Sequence, residues 1–350
     1  MPSSDVRRRV GRQTGQSAIV ALAVAALLGV AACGDWTTSP PGATAPPVAS
    51  ETRIGAAAAE VSTAPAASPA APAPDTSGGA GSTAATTASP LRAWLLPVGG
   101  LEARGTSGTI LRVDPTAGTV TAVGHLARPV HDAAGASMGG GWLVVGGGVA
   151  VATSGVQRVV ADSLHHASSM VVGALPMPRA DGSAVATDGR VLLVGGGRGG
   201  VPDAAVLETR DGVHFSRFGT LAIPVRYGAV VAVAGAVLVL GGTTARGVTD
   251  AVQRIDLATG AVRVVGRLPF SITEASAFLL GGRVLLAGGM RSGRASAAIL
   301  AYDPATGRLA PAGRLPEPVA DAGVAVLGDA AYLVGGETAT AYLDTVIAVR

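Results

Sequence analysis

From residue 95 onward the chain alternates short apolar runs with glycine-rich breaks and shows no 3.6-residue period. A run ending in Gly-Gly occurs six times, at residues 95–100, 143–147, 192–196, 238–242, 285–289 and 332–336. The second glycines lie 47, 49, 46, 47 and 47 residues apart. Other features keep the same phase. A Leu opens a Pro-containing stretch at Leu126, Leu175, Leu221, Leu268 and Leu315. Turn signals such as Gly139-Gly140, Asp188-Gly189 and Gly281-Gly282 precede the apolar run and carry the positive φ that tight hairpins need.

Each unit predicts four short strands, for example 182–187, 190–194, 204–208 and 214–220. Six four-stranded units at one period are what a β-propeller requires, because each small sheet buries both faces against its neighbours and the ring closes on itself. The unit resembles the kelch repeat. The shared marks are the glycine pair after the second strand, and a later Tyr that is clear in Tyr302-Asp303-Pro304. The Trp of that repeat is replaced by Val120, Ser169, Phe215, Val262 and Leu309. The resemblance implies an all-β, six-bladed kelch-like propeller over residues 91–350. Counting from 91 gives 22 strands where six full blades need 24. Closure then calls on residues 83–89 as an extra outer strand, or one blade stays short with an open edge.

The first 90 residues carry a different pattern. Arg7, Arg8, Arg9 and Arg12 precede fifteen uncharged apolar or small residues, 18–32, which fits a signal-peptide core. The stretch ends Val30-Ala31-Ala32-Cys33-Gly34, which resembles a bacterial lipobox, and the chain's single Cys stands where lipidation needs it. Residues 1–32 are therefore expected to be a lipoprotein signal peptide, with Cys33 lipidated, palmitate included. Residues 33–90 are Ala, Pro, Ser, Thr and Gly almost throughout and are expected to form a disordered linker, with 54–61 transiently helical. The mature chain is placed on the extracytoplasmic side of a cell membrane, held by its lipid.

Charge narrows the partners. The formal net charge is +3, but four Arg and one Asp fall in the signal segment, and what remains balances at 22 against 22. A neutral chain without Lys is poorly suited to nucleic acid, where phosphate neutralisation dominates affinity. An envelope protein or a glycan is the expected partner.

Candidate chemistry sits at one phase. Six residues past each marking Leu stand Asp132, Asp181, Tyr227, Glu274 and Asp321. Equivalent positions in a ring face a common axis, so the four carboxyls are expected at the channel mouth, with Arg128, Arg179, Arg226 and His131 nearby. Two readings stay open. Each Asp bonds the amides of its own turn, or the carboxyls share a ligand, with calcium a natural hard-cation guest. Copper chemistry of the galactose oxidase type is excluded because it needs a Cys inside the domain, and Cys33 lies outside it. Other kelch propellers act on sialic acids and would need an Arg and carboxylate pair at the mouth. No nucleophile elbow, metalloprotease motif or phosphate loop is present. The expected function is a non-catalytic protein- or glycan-binding module. The alternative is a sugar mutarotase or isomerase acting at the channel mouth.

Overall fold

The computed structural model describes residues 58–59, 95–102, 105–115, 117–161, 165–338 and 340–350. The expected signal segment, Cys33, and residues 83–89 lie outside the described residues. Strands, bridges and turns make up the described chain, and no helix occurs within it.

Six antiparallel meanders follow one another. The first comprises β1 (Ala58–Ala59), β2 (Leu96–Glu102), β3 (Gly105–Asp114) and β4 (Thr119–His125). The second comprises β5 (His131–Met138), β6 (Gly141–Gly148), β7 (Gly155–Ala161) and β8 (Ala167–Ala174). The third comprises β9 (Ala180–Thr187), β10 (Arg190–Arg198), β11 (Ala205–Thr209) and β12 (Ser216–Thr220). The fourth comprises β13 (Ala229–Val233), β14 (Ala236–Leu240), β15 (Ala251–Asp256) and β16 (Val262–Arg267). The fifth comprises β17 (Thr273–Leu280), β18 (Arg283–Arg291), β19 (Ala298–Tyr302) and β20 (Leu309–Arg314). The last has three strands, β21 (Gly323–Leu327), β22 (Ala330–Val334) and β23 (Val346–Val349).

The second strand of each unit is the most deeply buried. All eight residues of β6 and all five of β14 and β22 are buried, as a strand covered on both faces must be. Apolar side chains gather into six clusters, each between consecutive meanders. One of these packs Leu95, Leu111 and Val113 of the first meander against Tyr332, Val346 and Ala348 of the last, so side chains close the ring. The arrangement is that of a propeller.

Two expectations are corrected. Six separate four-stranded blades are not what the hydrogen bonding delineates. It gives four sheets of four or more strands, one of three and one of two among the described residues. The first two meanders fuse into one eight-stranded sheet because β4 and β8 bridge in parallel at Gly124 and Ala167. Only a glycine allows that approach, since a Cβ on Gly124 would lie 1.9 Å from the Ala167 carbonyl oxygen. The second correction concerns the linker. Ala58 and Ala59, within the stretch expected to be a partly helical tether, pair with Pro97 and Leu96 as β1. The inner strand of the first meander thus comes from well before residue 91.

In the third unit the observed strands overlap the expected ones, with β9 starting two residues earlier, β10 running four residues further and β11 shifted by one. β12 starts at Ser216, because Asp211 Oδ1 accepts from the amides of Val213 and His214, both at 2.8 Å, and holds His214 in a turn.

Candidate functional site

The phase-equivalent residues do converge. Asp132, Asp181, Tyr227, Glu274 and Asp321 line one cavity, with the small residues that follow each of them on the inner strands. Its volume, open space at the mouth included, is about 820 Å³.

The glycine pairs place this ring. The amide of Gly242 donates to the carbonyl of Ile272 at 2.8 Å, two residues before Glu274. Gly147 does the same to Arg179, Gly196 to Val225 and Gly289 to Val319. Each pair thus clamps the loop that delivers the next ring residue. Gly241 shows why the clamp demands glycine: its φ is +64°, and a Cβ there would stand 2.2 Å from the Ile272 oxygen.

All five ring residues take left-handed φ, between 50° and 59°, a region that non-glycine residues rarely occupy. The strain is over-determined by backbone bonds running around the ring. The amide of Tyr227 donates to the Asp181 carbonyl at 2.9 Å, that of Glu274 to Tyr227 at 3.1 Å, and that of Asp321 to Glu274 at 2.8 Å. The turn places each ring residue at the cavity wall.

The side chains form one electrostatic group. Arg226 Nη1 donates to Asp181 Oδ2 at 2.7 Å, and its guanidinium lies 5.1 Å from the Tyr227 ring centre. The Tyr227 hydroxyl and the Asp132 carboxyl also bond Asp181. Burial raises Asp132 and Asp181 together, while Arg226 opposes the rise in both. Arg226 is in contact with Asp181 and so favours the charged form there over that of Asp132. Burial pushes Glu274 up to about 8, helped by the charges of Asp321 and Asp181. Burial also raises Tyr227, which stays neutral. His131 is held below its usual range by burial, and its Nδ1 lies 2.8 Å from Thr106 Oγ1.

Two oxygens stand out. Asp132 Oδ1 and Glu274 Oε2 are buried and have no hydrogen-bond partner. Neither is spent on capping its own turn. Asp181 is spent on Arg226, Tyr227 and Asp132.

The other candidates separate. Arg179 is withdrawn from the mouth: it is 4% exposed, pairs with Asp203 at 2.6 Å, and donates to the carbonyls of Gly195 and Ala205 at 3.0 and 2.8 Å. It ties two loops together. Arg226 backs the ring from behind Asp181 and does not line the cavity. The Arg128 side chain is exposed. Among the described residues, no three His, Cys, Asp or Glu side chains are placed to hold a metal ion.

Sequence reasoning missed two glutamines. Gln157 bonds both the amide and the carbonyl of Arg128, each at 2.8 Å, and Gln253 does the same to Ile223, each at 2.9 Å. They fix the Pro-containing loops two residues past the marking Leu. Their only signal was a shared phase on β7 and β15. Ser183 and Ser276 were missed as well: each hydroxyl donates to the carbonyl of the residue just before the next inner strand, Gly228 and Ala322.

No known family model matches the chain, and no curated protein matches it. Among solved structures, one titled "Structure of YjhT" matches with a TM-score of 0.61 at 16% identity, covering 73% of this chain and 90% of that one. At that identity the likeness establishes the all-β, propeller-like fold and leaves the function to the site.

Proposed function

We propose that the chain is a six-bladed kelch-type propeller, tethered by a lipid on Cys33 to the outer side of a membrane, that binds a glycan at its channel mouth without catalysis. Six blades follow if the eight-stranded sheet is divided at the single bridge between Gly124 and Ala167, and one apolar cluster then fills each interblade gap.

The observation that carries the binding role is the pair of buried, unpartnered oxygens, Asp132 Oδ1 and Glu274 Oε2, on the wall of that cavity. An unsatisfied buried acceptor costs about 1–3 kcal/mol, and a ligand hydroxyl or amine that donates to it recovers that energy. A thermal-shift screen of neutral, acidic and amino sugars tests this, because a ligand of the folded state raises the melting temperature by mass action. A shift that Asp132→Asn and Glu274→Gln both abolish supports the reading. Shifts that survive both substitutions refute it.

A second reading has its own support. Asp132, pushed up to about 9 by burial, stands beside Asp181, whose charged form Arg226 favours, so an acid and a base share one site. A sugar mutarotase would use Asp132 to protonate the ring oxygen while Asp181 takes the proton of the anomeric hydroxyl, which opens the ring. Accelerated exchange between anomers, lost in Asp181→Asn, would establish catalysis in place of simple binding.

A further inference from the structure

We propose that the channel mouth selects a ligand carrying an alkylammonium group on a polyhydroxylated frame, an amino sugar or amino polyol, over its neutral and acidic counterparts. The inference rests on the reading of the mouth as a ligand site and adds the charge class of the ligand.

Four carboxyl groups from four different meanders line a single cavity: Asp132, Asp181, Glu274 and Asp321. The guanidinium of Arg226 lies outside the lining, and its Nη1 is engaged with Asp181 at 2.7 Å. Glu274 is 7% exposed, lines the cavity, and has an oxygen without a partner. Asp132 offers a second such oxygen. Once Glu274 and Asp132 give up their protons, both oxygens accept, and a bound group that brings donors and positive charge satisfies them. A carboxylate would meet a lining of carboxyls and find Arg226 already paired with Asp181. A divalent metal is a poor fit, since no three of these groups are placed to hold one. An ammonium has three N–H donors that rotate to reach acceptors spaced more widely than a metal tolerates. Tyr227, neutral and stacked near Arg226, supplies an aromatic wall beside the charge.

The test varies charge alone on one six-carbon frame. 1-Amino-1-deoxyglucitol, glucitol and gluconate are titrated into the full-length chain at pH 7 by calorimetry, in two buffers of different ionisation enthalpy. The amine is expected to bind at least tenfold tighter than glucitol, with gluconate weakest. Proton release should accompany the amine. A cation lowers the proton affinity of Glu274 and Asp132, and the other groups facing them are Asp181, Asp321, Arg226, Tyr227 and His131. Glu274→Gln should cut the preference about tenfold. The proton count on the unmodified chain decides the matter even if that variant fails to fold. Glucitol or gluconate binding as tightly as the amine, or amine binding without proton release, overturns the charge assignment and leaves the ligand site standing. No binding by any of the three removes both.

Discussion

Glu274 is the residue at which site and stability meet. Its folded-state pKa is about 8, against about 4.3 for an unfolded glutamate. Between those values the folded protein holds a proton that the unfolded chain has released. Stability from this group is therefore fully present below pH 4 and is lost as pH rises towards 8, at up to about 1.4 kcal/mol per unit. The ligand-free protein is expected to melt at a higher temperature at pH 5 than at pH 8. Glu274→Gln should reduce that difference, leaving the part owed to Asp132, and raise the melting temperature at pH 8. A variant that leaves the pH profile unchanged would show that Glu274 does not hold the proton. Gln253 makes a separate prediction. It is 1% exposed and is the partner of both the amide and the carbonyl of Ile223. Gln253→Ala should cost about 2–3 kcal/mol, read from chemical denaturation, because it strands two backbone groups. Leaving stability within about 0.5 kcal/mol would mean that water replaces the amide fully.

Glycine substitutions separate the forces acting on the strands. Gly235, in the turn between β13 and β14, has φ +68° and no atom within 4 Å of where a Cβ would stand, so Gly235→Ala should lose only about 1 kcal/mol to backbone strain. Gly241 has nearly the same φ, but the carbonyl of Ile272 stands 2.2 Å from a Cβ. Gly241→Ala should cost about 3 kcal/mol or more and disturb the Glu274 loop, and equal losses for the two would refute the clamp. This clamp explains why so much of the architecture was legible beforehand. A steric requirement that recurs once per unit writes itself into the sequence as Gly-Gly, and the ring positions could be counted from it. What was not legible had no distinctive residue. Gln157 and Gln253 look like ordinary polar positions of a strand until the loop they face is known. Arg179 and Arg226 occupy nearby phases of successive units, yet one is drawn to Asp203 and the other to Asp181. That difference depends on the spacing of partners in three dimensions, and phase alone does not encode it.

Ring closure is a property of the whole molecule, and a two-residue strand takes part in it. Ala58 and Ala59 pair with β2 and lie against β5 on one side and β21 on the other. Nothing in an Ala-rich stretch marks those two residues as strand, because alanine carries neither the alternation nor the β-branching by which strands are recognised. Side-chain closure through Leu95, Val113, Tyr332 and Val346 survives without β1, but the inner edge of β2 would then be unpaired where the channel walls converge. A chain comprising residues 51–350 is therefore expected to melt higher than one comprising 91–350, by about 5 °C for a loss of about 2 kcal/mol. The shorter chain should also associate more readily at high concentration through the exposed edge. The carboxyl ring spans the same circle of inner strands, so the shorter chain should show weaker binding at the mouth even where it remains folded. Identical melting temperatures and affinities for the two chains would mean that the ring is closed by side-chain packing alone and that β1 contributes nothing to either fold or site.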